Sequence, residues 1–416
     1  MNFHLKYKTL ILAGYGVMGR AFCVLGSDFI SRFEYFVIID KHKSNILPEK
    51  CDCFIVQNIN NTELLYNNLK KHCNQFIFVN LTSNTDTFKV RQVIAKLDGA
   101  YIDTSCSVKY GIEEYEYSKL MPYTLKRVKN KYPHFVCCGV NPGMVEIIAK
   151  KIIAENFLNT KDVDVYFFEY DQFTTKREKQ EDIPVSWSPD TLIDEVMLTP
   201  SLELRNGLAV EGESAPTYQV RMNWFGDKIQ ARLVGHEEVW NLQFLPEITV
   251  RNSYYIYALH PDIMDAFNNK VEYAKERFYI PDRSTPVYGS DTLVVEVVDC
   301  SSGISKSMFW STDHFWTFSH YSINAVQYQV CSSLLFFCEL LIRLDSRARG
   351  NTYCGTTLVI DCYGWDVVYD LFKKYKIEWE YIQAEKIFVY SNRKVRSNSH
   401  SLVQLNSSSI HGIVKS

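Results

Sequence analysis

Residues 9–19 read TLILAGYGVMG. A short apolar run, Thr9–Ala13, leads into the pattern G-x-G-x-x-G at Gly14, Gly16 and Gly19, and helical spacing opens at Val17. A strand, turn and helix of this kind cradle the pyrophosphate of a dinucleotide. The first glycine permits the tight turn, the second lets a phosphate approach the backbone, and the third lets the helix pack close to the strand. Val17 and Met18 then present N–H groups of the first helical turn to the phosphates. The next apolar run, YFVIID, ends on Asp40, about 20 residues beyond Gly19, where a carboxylate accepts hydrogen bonds from ribose hydroxyls. That charge repels a 2′-phosphate, so the cofactor expected is NAD. Lys41 and Lys43 are the residues that would offset it and admit NADP.

Outward from this turn, strands and helices alternate over about the first 170 residues. Strands are expected at Tyr35–Asp40, Phe54–Val56, Phe76–Leu81, Ala100–Thr104, Phe135–Val140 and Val163–Tyr170, with helices at Val17–Leu25, Thr62–His72, Thr85–Leu97 and Met144–Glu155. The alternation predicts an α/β fold with a Rossmann-type parallel sheet over residues 1–145. From about residue 205 to 300 the pattern becomes aromatic-rich and alternating, in TYQVRMNWFG, KIQARLVG, ITVRNSYYIYAL and DTLVVEVVDC. These read as antiparallel strands, with Gly226-Asp227 as a hairpin turn. Helices are expected at Asp262–Lys275, Tyr321–Leu344 and Gly364–Lys374, and a closing strand at Lys386–Tyr390. Residues 146–385 are assigned to a mixed α+β domain with an antiparallel sheet, the chain returning late to the first domain through the helix at 321–344. The Ser- and Asn-rich segment 391–416 reads as a disordered tail.

The 416 residues are 46% hydrophobic and 22% charged, with a formal net charge of −3. This excludes a chain disordered throughout. It supplies no positive field for nucleic acid or an anionic membrane, and neither is expected as a partner. The most apolar run, Val330–Leu344, is interrupted by Ser332, Ser333, Glu339 and Arg343 and is shorter than a bilayer span, so it reads as a buried helix. The first apolar run is too short for a signal peptide, and a cytoplasmic protein is expected. The 12 cysteines include no C-x-x-C pair, so no metal site is expected and the cysteines read as reduced thiols.

After the run HFVCCGV, Asn141-Pro142-Gly143-Met144-Val145 joins turn chemistry to a helix start, at the strand end where doubly wound sheets place ligands. Other motifs follow in order: Glu169 and Asp171 in FFEYDQ, SWS around Trp187, Glu195, VGHEEV with His236, and YALHP with His260 and Pro261. With these motifs, from about residue 8 to 385, the chain resembles the bacterial-type homospermidine synthases of the saccharopine dehydrogenase-like group. The resemblance implies a transferase of polyamine biosynthesis that joins two putrescines into homospermidine and releases ammonia. NAD would act as a redox relay with no net consumption. Hydride leaves the amine-bearing carbon, a second diamine attacks the imine, ammonia departs and the new Schiff base is reduced. The resemblance further implies a homodimer, a cation-binding role for Trp187, carboxylate roles for Glu169 and Glu195, and places for Asn141 and His236 near the nicotinamide and the reacting amine. Ser107 stands where the family carries an acidic residue, which bears on diamine preference.

A diamine is charged at both ends, so its pocket needs carboxylates at the ends and apolar or aromatic walls between. Glu169, Asp171, Asp190, Asp194, Glu195, Glu237 and Glu238 supply acids in the candidate segments. The Trp187 ring face can cover an ammonium, worth ~2 kcal/mol when desolvated. Strand alternation turns one of Glu237 and Glu238 inward, and Glu237 is assigned to substrate. His236, titrating near neutrality, would shuttle protons between imine and amine. Plainer readings stand beside these: a satisfied buried His236, a core Trp187, and a solvated Glu169–Asp171 face. The catalytic set is His236, Asn141 and Trp187. The substrate set is Glu169, Glu195, Trp187 and Glu237, and the cofactor set is Gly14, Gly16, Val17, Met18, Gly19, Asp40 and Asn141. The competing function is an NAD(P)-dependent dehydrogenase of the saccharopine or carboxynorspermidine type. Its substrate carboxylate calls for an arginine, and Arg205 and Arg232 are the nearest candidates, in alternating stretches where both can point outward.

Overall fold

The computed structural model describes residues 7–72, 75–83, 85–105, 128–157, 159–177, 179–214, 219–224, 227–242, 248–344, 352–354 and 363–382. Ser107, Gly226, the strand expected at Lys386–Tyr390 and the segment 391–416 lie outside the described residues. The chain opens with β1 (Thr9–Ala13), α1 (Val17–Leu25), α2 (Ser27–Ser31), β2 (Tyr35–Asp40), β3 (Cys53–Val56), α3 (Thr62–His72), β4 (Phe76–Asn80), α4 (Thr87–Lys96), β5 (Ala100–Asp103) and β6 (His134–Val136). Next come α5 (Met144–Asn156), β7 (Asp162–Asp171), β8 (Thr174–Thr175), β9 (Ile183–Pro184), α6 (Pro189–Ile193), a π-helical turn (Asp194–Leu198), β10 (Pro200–Arg205), β11 (Leu208–Ser214), β12 (Gln219–Trp224) and β13 (Asp227–Val234). They are followed by α7 (Glu238–Asn241), β14 (Thr249–Leu259), α8 (Pro261–Ala266), α9 (Val271–Arg277), β15 (Phe278–Tyr279), β16 (Val287–Tyr288), β17 (Ser290–Asp299), β18 (Ser305–Asp313) and α10 (His314–Tyr321). The last elements are α11 (Ala325–Arg343), β19 (Thr352–Cys354), α12 (Trp365–Tyr375) and β20 (Glu380–Tyr381). Met1–Met144 and Gln327–Ile377 make one compact unit, and Val145–Val326 and Glu378–Ser416 make the other.

The first unit holds a seven-stranded sheet in the order β19-β6-β5-β4-β1-β2-β3, parallel throughout. The stretch β3-β2-β1-β4-β5-β6 is the doubly wound order, which reverses between β1 and β4. Leu10, Ile11, Leu12 and Ala13 of β1 are all fully buried, as a central parallel strand covered on both faces requires. Ile11, Val37, Phe78 and Tyr101 belong to one core cluster of this sheet. β6 stops at Val136 rather than running to Val140, because Cys137 turns the chain at φ +58° and gives its N–H to the Asp103 carboxylate at 2.9 Å.

The long helix begins at Ala325, not Tyr321. Ser322 adopts a left-handed conformation, φ +55°, that closes α10 and separates it from α11. With 19 residues and a mean hydropathy of 1.5, α11 is long and apolar enough by length and composition to cross a membrane, but 89% of its apolar window is buried inside the protein. Its polar interruption Glu339 is buried with partners, accepting from Arg32, Lys374 and the Tyr375 hydroxyl.

The second unit carries a nine-stranded mixed sheet, with β11-β10-β14-β7-β17-β18-β20 on one path and the β12–β13 hairpin joined to it through β14. The alternating runs are therefore not all antiparallel. β14 runs antiparallel to β10 and β13 but parallel to β7, in a register that sets Tyr255 beside Phe167 and Tyr257 beside Glu169. On its other edge β7 pairs antiparallel with β17, placing Asp291 opposite Asp171. The helix expected at 262–275 is two helices, α8 and α9, parted at Asn268-Asn269, where Asn269 Nδ2 donates to the Asp265 carbonyl at 3.1 Å. Among the described residues seven cysteines are free thiols, but Cys137 is disulfide-bonded. That corrects the reading of all 12 as reduced, since pairing depends on spatial geometry that spacing does not encode.

Candidate active site

The glycine turn joins β1 to α1. Gly14 sits at φ +91°, and a Cβ there would lie 2.7 Å from the Leu81 carbonyl. A Cβ on Gly19 would lie 2.0 Å from the Gly14 carbonyl oxygen, so the turn and the helix start touch through that missing carbon. A Cβ on Gly16 would meet nothing within 4 Å, and Gly16 itself is exposed. Val17 and Met18 follow half-buried, and α1 starts without a side-chain cap or an acidic residue in its first turn. This is a cradle of backbone donors at a positive helix end, which suits a diphosphate. Asp40 faces the turn from the end of β2. Its Oδ2 accepts the Tyr15 N–H at 2.6 Å and its Oδ1 the His42 N–H at 2.8 Å, so the carboxylate also ties the turn in place. Lys41 and Lys43 are exposed. Asn141 is half-buried in a tight turn beyond β6, at the same strand ends of the parallel sheet as the glycine turn. Gly143 shapes that turn at φ +130°, where a Cβ would lie 2.5 Å from the Gly139 oxygen.

The second unit gathers the acids. His236 is nearly buried between three carboxylates. Its Nδ1 bonds Glu238, its Nε2 lies 3.3 Å from Glu195 Oε1, and Glu237 Oε2 is 3.8 Å from Nδ1. The His236 ring also lies 4.5 Å, centroid to centroid, from Tyr255, whose hydroxyl donates to Glu169. Tyr257 lies 6.0 Å from Tyr255, and its hydroxyl oxygen accepts the Trp187 indole N–H at 3.2 Å. Burial alone pushes the His236 imidazole down, but the Glu238 charge and the hydrogen bond to Glu195 outweigh it and hold the ring well above the usual histidine range. With Glu238 at Nδ1 and Glu195 facing Nε2, the ring is held above the near-neutral range expected from the sequence. Burial raises Glu237, with the His236 charge opposing it. Burial likewise raises the phenols of Tyr255 and Tyr257, and nearby Glu169 adds to both, so they stay neutral.

No protein-family model matches the chain, and no curated protein matches it. Solved structures do. A homospermidine synthase from Legionella pneumophila, solved in complex with NAD, superposes with a TM-score of 0.68 over 89% of this chain and 91% of that one, at 14% identity. An apo saccharopine dehydrogenase (L-Glu forming) from Saccharomyces cerevisiae superposes with a TM-score of 0.58 over 90% of this chain and 100% of that one, at 10% identity. The fold is the one these enzymes share.

Within that fold, the residues singled out in the sequence fall into two groups. Gly14, Gly16, Val17, Met18, Gly19, Asp40 and Asn141 lie in the first unit, and Glu169, Trp187, Glu195, His236 and Glu237 lie together in the second. Strand alternation does not sort Glu237 from Glu238, because α7 starts at Glu238. Both glutamates face His236, and Glu238 is the fully buried one. Asp190 is exposed on α6 and Asp194 starts the π-helical turn. His260 caps α8, its Nδ1 accepting the Asp262 N–H at 3.4 Å. Arg232 does not point outward: it is buried and donates to Asn268 Oδ1 at 2.9 Å, while Arg205 pairs with Glu203 at 2.5 Å. Among the described residues no group of three or more His, Cys, Asp or Glu is arranged to hold a metal ion. Tyr255, Tyr257, Asp291 and His314 were not singled out in the sequence, and Glu238 was named among the acids but not assigned to the substrate. The two tyrosines had a signal, Tyr-x-Tyr spacing that sends both to one face of β14. His314 had none, since its neighbours come from other elements.

Proposed function

We propose that this chain is an NAD-dependent enzyme acting on diamines, a homospermidine-forming aminobutyl transferase. The observation that carries the proposal is the grouping of Glu169, Glu195, Glu237 and Glu238 around His236 and the rings of Tyr255, Tyr257 and Trp187. A site rich in carboxylates and aromatic faces binds a cation with a hydrocarbon stem and repels a substrate carboxylate. Arg205 and Arg232, the arginines an amino-acid substrate would need, are committed to Glu203 and Asn268. The likeness to an NAD-bound homospermidine synthase supports the proposal at the level of the fold.

The glycine turn, the first turn of α1 and Asp40 fit NAD, which when bound accepts hydride from an amine-bearing carbon and returns it to a Schiff base. Glu169 and Glu195 hold the ammonium ends of the substrate, and the Trp187 face covers the charge nearest the reacting carbon. Oxidation requires the amine to be neutral, so a proton must first leave it. Glu237, raised by burial and partly reachable from solvent, is the residue suited to take that proton. His236, resting as a cation, is suited to donate one to the departing ammonia. The second putrescine enters as a neutral nucleophile for the imine carbon, so the balance is two putrescines to one homospermidine and one ammonia, with no net redox change.

Purified protein incubated with catalytic NAD and deuterium-labelled putrescine, then analysed by mass spectrometry, is expected to give homospermidine and ammonia without NADH accumulation. NADH accumulating with a saccharopine-like or carboxylated polyamine substrate, and no homospermidine, would assign the chain to the dehydrogenase function instead.

A further inference from the structure

Asp171, the acid two residues beyond Glu169, has no part in the chemistry above, yet it is fully buried at the centre of a hydrogen-bonded chain. Its Oδ2 accepts from the Ser186 hydroxyl and its Oδ1 faces His314 Nε2 at 3.0 Å. His314 is also fully buried, edge-on to Phe173 at 5.0 Å. Its Nδ1 accepts the backbone N–H of Ala325 at 3.0 Å. A backbone N–H can only donate, so Nδ1 carries no proton and Nε2 carries the ring's one proton toward Asp171. His314 is therefore a neutral donor with both nitrogens engaged. Ser186 is held a second time through its carbonyl, which accepts from Asn324 Nδ2. Across the sheet Asp291 stands opposite Asp171, its carboxyl raised by burial and by the charges of Glu169 and Asp171. The next residue after Ser186 is Trp187.

We propose that Asp171, His314 and Asn324 are positioning residues, which clamp Ser186 from two sides and thereby aim the ring of Trp187 at the amine. Trp187 as the amine-binding ring is the premise, taken from the function proposed above. Among the described residues the ring's hydrogen bond is the 3.2 Å one from its indole N–H to Tyr257, which fixes one edge. Ser186 sets the backbone that carries the ring. A cation–π contact depends on the charge lying over the ring face within about 6 Å of the centroid, so a tilt of the ring weakens it. A neutral histidine suits this place, since a second fixed cation beside the site would oppose the substrate's charge.

The test labels the protein with 5-fluorotryptophan and identifies the Trp187 ¹⁹F resonance from its loss in Trp187→Phe. In His314→Ala that resonance is expected to shift and broaden while the other tryptophan signals hold. His314→Gln, which keeps a neutral N–H donor, is expected to restore it. In the same variants His314→Ala is expected to raise the KM for putrescine about tenfold, the size of one cation–π contact, with a smaller change in kcat. An unchanged Trp187 resonance in His314→Ala, or a glutamine variant left at the alanine position, would overturn the proposal. If His314→Ala does not fold, Ser186→Ala removes the hydroxyl donor alone and must displace the same resonance, and an unmoved signal there overturns it equally. Wild-type protein that makes no homospermidine defeats the functional premise through turnover, whereas the ¹⁹F signals judge the clamp without any substrate.

Discussion

His236 shows how a single side chain gets its charge from its neighbours. Burial opposes protonation, and Glu238 and Glu195 reverse the outcome. Because the folded value is raised above the ordinary one, about 6.5, this stabilisation is fully present below that pH and is lost as pH rises through the raised value. We expect the Tm difference between wild type and His236→Gln to be largest at and below about pH 6.5 and to shrink on the alkaline side, as measured by a thermal-melt series. A difference that grows with pH would contradict a cationic His236. Asp291 works in the opposite direction. Its carboxyl is raised by burial and by Glu169 and Asp171, so ionisation is disfavoured in the folded state. Folding then loses stability as pH rises above the ordinary aspartate range, about 3.9, toward the raised value. Asp291→Asn is expected to raise Tm at neutral pH and to have little effect near pH 3.5. A gain of about 1 kcal/mol appears as a shift of about 2–4 °C in a unit of this size. A lower Tm at neutral pH would show that Asp291 is needed in its ionised form.

At the scale of elements, the turn between β1 and α1 separates two demands that the letters G-x-G-x-x-G merge. Gly19 is required by packing, since its Cβ would strike the Gly14 oxygen at 2.0 Å. Gly16 is not, because its Cβ would enter open space. Gly19→Ala is expected to lower Tm by several degrees together with NAD affinity. Gly16→Ala should leave stability within about 0.5 kcal/mol of wild type while weakening NADH binding about tenfold or more, read by cofactor fluorescence titration. Equal stability losses in both variants would mean that the turn is built for folding alone. This element was legible in advance because strand, turn, helix and Asp40 are close in the chain. β10, β18, α7 and α10 were not read, and neither was the parallel pairing of β14 with β7. Each depends on partners distant in sequence. Glu238 illustrates the cost: a strand was assumed to run through residue 238, where a helix begins, and the glutamate that holds His236 was passed over.

At the scale of the whole molecule, stability should report cofactor choice. A ligand bound only by the folded state adds about 2.7 kcal/mol at a hundredfold excess over Kd, so saturating NAD is expected to raise Tm by about 5–10 °C. NADP, facing the Asp40 carboxylate, is expected to shift it much less at the same concentration. A larger shift with NADP would assign a cofactor role to Lys41 and Lys43. The sequence by itself determined the α/β class, the glycine turn with its acid, and the clustering of carboxylates in a few segments. Those features are written in hydrophobic period and short spacing, which act within one or two elements. Only the tertiary structure decided that three glutamates surround His236, that Arg232 is turned inward, and that Ser186, Asp171 and His314 join in one hydrogen-bonded chain. Charge state and hydrogen-bond pairing depend on distances between groups far apart in the chain, and only the folded sheet sets those distances.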